Sequence, residues 1–401
     1  MERVYAALSI SLITNKRLAI CCDNATESIN HFVEGILQQS GFNELQYAVI
    51  DLLECKTIEN ILRQATIDNN DALKFKNVIL WQNLQHLDEI RQKELYRLIL
   101  QIEDYNKSSY KCNDQPVTIS THGKAFKVFK PQLFTIIPFL EYNLYDNKIY
   151  PYLKEMLWSS VTFPPVNEYN EYNEYNEYNE YNEYVHFMPN YESIILQLRS
   201  KIDTVFMSPN IKSYIYSLIV FIRCHRLASL APKSVRVPTA TISYVQDYCK
   251  SLVLWRRQLQ LSRTSMTDTA VSNEENELEK TATAAVDLEL EKETELFVTP
   301  EYVKIAIKNI GYWLVDWEAN RKFANTDDLK FNKNGSDKAQ FEILDNKKLE
   351  ISMLTGDWYG SEYYCANELL KGYKAIRDYD SPTGMTNRIV DDAIEEVRPP
   401  L

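Results

Sequence analysis

Two short stretches carry residue types suited to phosphate and metal chemistry. Asp23–Ser28, reading DNATES, follows the apolar run RLAICC (Arg17–Cys22). Gln82-Asn83 follows VILW (Val78–Trp81). A strand, a polar loop and a helix are the setting of the phosphate-binding loop G-x-x-x-x-G-K-[ST]. Its glycines open backbone amides, its lysine contacts the β- and γ-phosphates, and its hydroxyl holds magnesium. DNATES has no glycine and no lysine, and Glu27 stands before Ser28 where the lysine is needed. Glu27 and Asp23 repel a triphosphate, at a cost of several kcal/mol in a low-dielectric site.

The second pattern is a carboxylate pair at the end of an apolar strand, one holding the metal and one activating water. Gln82 and Asn83 are near-isosteric with such a pair but uncharged. They can hydrogen-bond, but they cannot neutralise a dication or act as a base at neutral pH. Asp88-Glu89 lies six residues further on, where the next helix begins, and reads as a charge match to the helix N-terminus.

Other chemistry is thin. The seven cysteines (Cys21, Cys22, Cys55, Cys112, Cys224, Cys249, Cys365) are scattered, with no CxxC, and the five histidines form no HExxH. This pattern fits small buried thiols in a reducing compartment. Cys224-His225 reads as a helix residue beside a core thiol, since neighbours on a helix diverge. Glycine makes up only 9 of 401 residues, against a usual ~7%. No cofactor and no metal are expected.

The elements that must position these residues are visible as patterns. Residues 1–166 alternate apolar strand-like runs with helical ones. The strand runs are Arg17–Cys22, Gln46–Asp51, Lys76–Trp81 and Leu133–Phe139; the helical patterns are Glu27–Gln39, Thr57–Ile67 and Asp88–Asp104. Continuous apolar strands separated by helices predict a parallel α/β sheet covered on both faces. Near the N-terminus VYAALSISLI follows a basic residue but has no small-x-small cleavage site. It runs into NKRLAICC, which reads as another strand.

Residues 167–184 are six perfect Asn-Glu-Tyr repeats. A period of three matches neither helix nor strand, so the repeat reads as a disordered linker. Residues 185–261 and 296–323 read as one helical domain, with stripes at Ile194, Ile195, Leu198 and Ile202, and at Ile215, Leu218, Ile219 and Ile222. A third helix lies within Ile242–Trp255. Thr299-Pro300-Glu301 predicts a helix start, with Thr299 as N-cap and a core face of Val303, Ile307, Ile310 and Leu314. Between these segments, 262–295 reads as a disordered acidic insert. Residues 324–401 read as irregular, ending in a short helix over Arg388–Val397. The longest apolar stretch in the middle of the chain, Tyr214–Ile222, is about half the ~20 residues a membrane span needs.

Two helical segments, Asp203–Leu227 and Phe297–Ile307, resemble the lid domain of MoxR-type AAA+ ATPases. Together with the closing VRPPL they resemble more closely the fungal "maintenance of telomere capping protein 2" family, a diverged relative of those ATPases. The resemblance implies a degenerate AAA+-like α/β domain followed by a small helical, lid-like domain, with two disordered acidic inserts. It puts Thr26-Glu27-Ser28 at the Gly-Lys-Thr positions and Gln82-Asn83 at the Asp-Glu pair. Leu157 stands where an arginine finger is expected. Arg236, in SVRVPTATI, is the residue that could match a sensor arginine.

Each departure points to loss of hydrolysis, so the expected function is that of a pseudo-ATPase, not an enzyme, working through protein partners. By resemblance it takes part in telomere capping, directly or indirectly. An active but atypical ATPase and a direct telomeric DNA binder are the alternatives. The protein is expected to be intracellular, in cytoplasm or nucleus, with no membrane partner. The net charge of −12 weighs at first against nucleic acid. Six glutamates of the repeat, and nine acids against two lysines in 274–295, account for it, and the other 361 residues carry a net +1. What argues against direct DNA binding is instead the lack of a basic patch. The clusters Arg223–Arg226 and Trp255-Arg256-Arg257 are short and read as helix ends.

Overall fold

The computed structural model describes residues 1–69, 72–104, 117–121, 124–142, 149–165, 187–188, 190–225, 237–271, 296–315 and 377–400. In chain order the strands are β1 (Leu18–Cys22), β2 (Tyr47–Asp51), β3 (Thr66–Asn69), β4 (Ala72–Phe75), β5 (Val78–Gln82), β6 (Val117–Thr121), β7 (Lys124–Phe129), β8 (Thr135–Glu141) and β9 (Ser159–Thr162). The helices are α1 (Glu2–Thr14), α2 (Ala25–Phe32), α3 (Ile58–Ala65), α4 (Glu89–Asp104), α5 (Pro151–Met156), α6 (Tyr191–Ser200), α7 (Pro209–Cys224), α8 (Thr241–Val271), α9 (Pro300–Leu314) and α10 (Arg388–Glu396).

The main sheet has five parallel strands in the order β2-β5-β8-β1-β9. Register is set by apolar pairs such as Ile20 with Phe139 and Ile79 with Ile136. β1 is buried along its whole length. That is the environment in which a strand reads as an unbroken apolar run. The four expected strand runs are therefore β1, β2, β5 and β8. The fifth, β9, reads SSVT and gives no apolar signal, yet Ser159 and Ser160 are buried beside β1. A second sheet, β3-β4-β7-β6, also escapes the sequence pattern. It falls partly where a helix is expected to continue to Ile67; the helix stops at Ala65 and β3 begins at Thr66.

The N-terminal apolar run is a helix, not a strand. Its residues are buried on nearly all sides, Leu8, Leu12 and Ile13 completely. An unbroken apolar run cannot distinguish a buried helix from a buried strand. The hydroxyls of Ser9, Ser11 and Thr14 donate to carbonyls three or four residues back, at 2.8 Å each for Tyr5, Leu8 and Ile10. For Ser9 and Ser11 this satisfies polar groups that no solvent reaches. Asn15, at φ 54°, turns the chain out of the helix. Burying each large side chain contributes about 1.5–3 kcal/mol. α1 packs on α6 and α8, so the first residues of the chain belong to the helical layer.

That layer is built as its stripes predict. α7 begins at Ser208, whose hydroxyl accepts from the Ile211 N–H, with Pro209 at the first helical position. It buries Ile215, Leu218, Ile219 and Ile222. α9 buries Val303, Ile307, Ile310 and Leu314. Thr299 does occupy its N-cap position, but its side chain makes no capping hydrogen bond. The third helix is longer than expected: α8 runs to Val271, ten residues into the stretch read as an insert. Cys224 is exposed, not a core thiol. His225 Nε2 faces Asp392 Oδ2 of α10 at 3.1 Å. The last helix ends at Glu396, with Val397 as its cap. The Asn-Glu-Tyr repeat, Arg236 and residues 316–376 lie outside the described residues.

Candidate functional site

The crossovers define where a ligand would sit. The connection from β1 leads to β2 at one edge, while that from β8 leads to β9 on the other side of β1. In open α/β sheets such a reversal opens a crevice at the strands' carboxyl ends. Here that point is the carboxyl ends of β1 and β8, where Cys22 and Glu141 are paired in register. Five of the sequence-predicted residues lie at the starts or ends of elements at this edge of the sheet. Thr26, Glu27 and Ser28 form the first turn of α2, and Gln82-Asn83 ends β5.

The N-terminus of α2 is occupied by the chain's own oxygens. Asn24 caps it, its Oδ1 accepting from Thr26 N at 3.0 Å and from Glu27 N at 3.4 Å. Glu141 Oε1 accepts from Ala25 N at 3.1 Å. A helix N-terminus draws anions through its free amides and its dipole. A carboxylate of this chain already holds that position.

The remaining residues are engaged in the same way. Gln82 Nε2 donates to Thr26 Oγ1 at 2.6 Å, so the structure brings these two predicted residues together. Asn83, in the left-handed region at φ 64°, donates from Nδ2 to Asp51 Oδ2 at 3.0 Å. Ser28, at the position of the metal-holding hydroxyl, is buried against the Cys22 thiol. Glu27 is exposed. Leu157, where the resemblance expects an arginine finger, is completely buried. Asp88 Oδ1 accepts from Arg91 N at 3.0 Å and Glu89 pairs with Lys93 at 2.7 Å, so this acidic pair starts α4.

Three features were not read from sequence. Glu141 lies just beyond an apolar run, and nothing in its neighbours signals the contact with Ala25. Tyr142 donates to the Cys21 carbonyl at 3.0 Å, and burial raises the pKa of its hydroxyl. Arg377, 354 positions after Asp23, forms an ion pair with it. Its guanidinium lies 5.1 Å from the Tyr142 ring centroid and 5.0 Å from that of Tyr379. Thr162 Oγ1 donates to the Ser381 carbonyl at 2.5 Å. The segment 377–387 thus crosses the crevice from the side of β9.

These residues do not fit a magnesium triphosphate. The charges at the helix N-terminus are negative, and Arg377 is paired with Asp23. Nor do the thiols beside the crevice offer a nucleophile: burial pushes both Cys21 and Cys22 up to about 12, so both stay protonated. Among the described residues, no group of His, Cys, Asp and Glu could hold a metal ion, and no helix is long and apolar enough to cross a membrane.

No protein-family model matches the sequence, and no curated protein matches it. Among solved structures, the chain is similar to a protein of Cytophaga hutchinsonii described as a "putative ATPase". The TM-score is 0.46 at 11% identity, over 77% of this chain and 80% of that one.

Proposed function

We propose that this chain is a non-catalytic, AAA+-derived protein that acts through protein partners. The observation that carries the reading is the contact between Glu141 and Ala25, which puts a carboxylate where a phosphate would bind. Glu27 in place of a clamp lysine and the engaged amides of Gln82 and Asn83 support it. The resemblance of Asp203–Leu227 and Phe297–Ile307 to the fungal telomere-capping family supplies the cellular process. The protein takes part in telomere capping, directly or through a process that affects it. Its bundle, with Arg223 engaged by the Val237 carbonyl and Arg256 over the Tyr302 ring, supplies surfaces for proteins more readily than a basic face for DNA.

The test is a titration of the purified protein with a fluorescent ATP analogue and magnesium. No saturable binding is expected up to high micromolar concentration. Specific, saturable binding would sink the reading in favour of an atypical ATPase. Retardation of single-stranded G-rich DNA in a low-salt gel shift would favour the DNA binder instead.

A further inference from the structure

The crevice is charge-inverted. A nucleotide site presents cations to an anion; this one presents Asp23 and Glu141 at the ends of β1 and β8, and what fills it is a guanidinium. Arg377 pairs with Asp23 and rests against Tyr142 and Tyr379, whose rings meet at 6.5 Å between centroids and an interplanar angle of 70°. One carboxylate and two aromatic faces make a corner matched to arginine, whose planar, weakly hydrated cation stacks where a lysine ammonium does not.

The segment that delivers Arg377 is firmly anchored behind it. Ser381 is buried, its carbonyl held by Thr162, and Asn387 Nδ2 donates to the Val315 carbonyl at 2.9 Å. The Arg377 backbone is bridged to Met385, but its side chain is held differently. The Arg377 and Asp23 side chains are 47% and 37% exposed. A second ion pair of the segment, Arg3 with Asp380 at 2.7 Å, is 70% and 79% exposed. Exposed pairs hold weakly and are screened by salt. The Arg377 side chain can therefore swing out while the anchor stays folded.

We propose that this corner is an arginine receptor, filled in cis by Arg377, and that an arginine side chain presented by a partner protein takes the same place. The inference rests on the reading that the crevice does not take a triphosphate, and it names the chemistry of the partner such a crevice recognises. Partner binding then displaces the chain's own arginine side chain from Asp23.

The test uses the full chain and N-acetylarginine amide as probe, followed by NMR shifts of the Asp23 and Tyr142 amides. Arg377→Ala is expected to bind the probe at least about tenfold more tightly than the unaltered chain, in line with removal of an internal competitor. In the Arg377→Ala background, Asp23→Asn is expected to abolish binding, and N-acetyllysine amide to bind at least about tenfold more weakly than the arginine probe. If Arg377→Ala does not fold, Arg377→Gln, which keeps a long polar chain, serves in its place. Equal affinity of variant and unaltered chain, or equal binding of the lysine probe, would overturn the proposal. ATP binding by the unaltered chain would instead overturn the reading it rests on, and the two failures are read from separate titrations.

Discussion

Glu141 Oε1, at the end of β8, accepts a hydrogen bond from Ala25 N in the first turn of α2 at 3.1 Å. The contact ties the carboxyl ends of two adjacent strands together through a helix N-terminus. Glu141→Ala removes the acceptor and the favourable charge, a loss of about 1 kcal/mol. A fall in melting temperature of about 1–2 °C is expected, with no gain of ATP binding, because Glu27 still opposes the phosphates. An unchanged melting temperature would count against the role given to Glu141.

An arginine placed at Leu157, where the resemblance expects a finger, should not confer ATP hydrolysis. Leu157 is fully buried. Leu157→Arg puts an unpaired charge into the core, at a cost of about 3–5 kcal/mol. The expected result is a sharp drop in soluble yield and melting temperature. A stable Leu157→Arg protein would show that this position reaches solvent or a carboxylate.

Lys130 offers a test by pH. Burial, reinforced by Arg17 and Arg199 and opposed by Glu103, pushes its ammonium down to about 7. Because the folded value lies below the unfolded one, the unfolded chain binds more protons between about pH 7 and 10.4. This group's contribution to stability therefore rises with pH across that window and is least favourable below it. Lys130→Met is expected to stabilise the protein at neutral pH by about 1–3 kcal/mol. Relative to the unaltered chain, its gain should shrink towards pH 10. Denaturant melts at pH 6, 8 and 10 measure both effects; a gain that grows with pH would refute the assignment.

Gly384 sits in the segment that crosses the crevice, at φ +75°, where an added Cβ would lie 2.1 Å from Tyr142 Cε1. Gly384→Ala combines backbone strain with a clash, a loss of about 1–3 kcal/mol. Hydrogen exchange should accelerate over 377–387 and at Tyr142, but not in α7. Exchange spread evenly over the chain would mean that the segment is not an independent arm.

The sheet was legible where burial was two-sided. Within Arg17–Cys22, Lys76–Trp81 and Leu133–Phe139, the cores Leu18–Cys22, Val78–Trp81 and Ile136–Phe139 are unbroken apolar runs because both faces of β1, β5 and β8 are covered. The same logic hid α1, since a helix buried all round loses its stripe. It hid β9 because Ser159 and Ser160 are small enough to pack without being apolar. At the site, DNATES and Gln82-Asn83 were recognisable by what they lack, a local property of the sequence. Glu141 and Arg377 were not, because what they do depends on chain 116 and 354 positions away, at Ala25 and Asp23. Arg236 lies outside the described residues, and its sensor reading stays an expectation.

The strand order has a consequence for synthesis. β1 pairs with β8 and β9 and with no earlier strand. A ribosome adding ~5–20 residues each second needs roughly 6–24 s to get from Cys22 to Glu141. Throughout that interval LAICC has two open edges and two apolar faces. Contacts this distant in sequence form late and leave the nascent chain open to aggregation. The burden on chaperones should therefore fall on the first 141 residues, and a truncation ending before β8 should accumulate as an insoluble, chaperone-bound fragment.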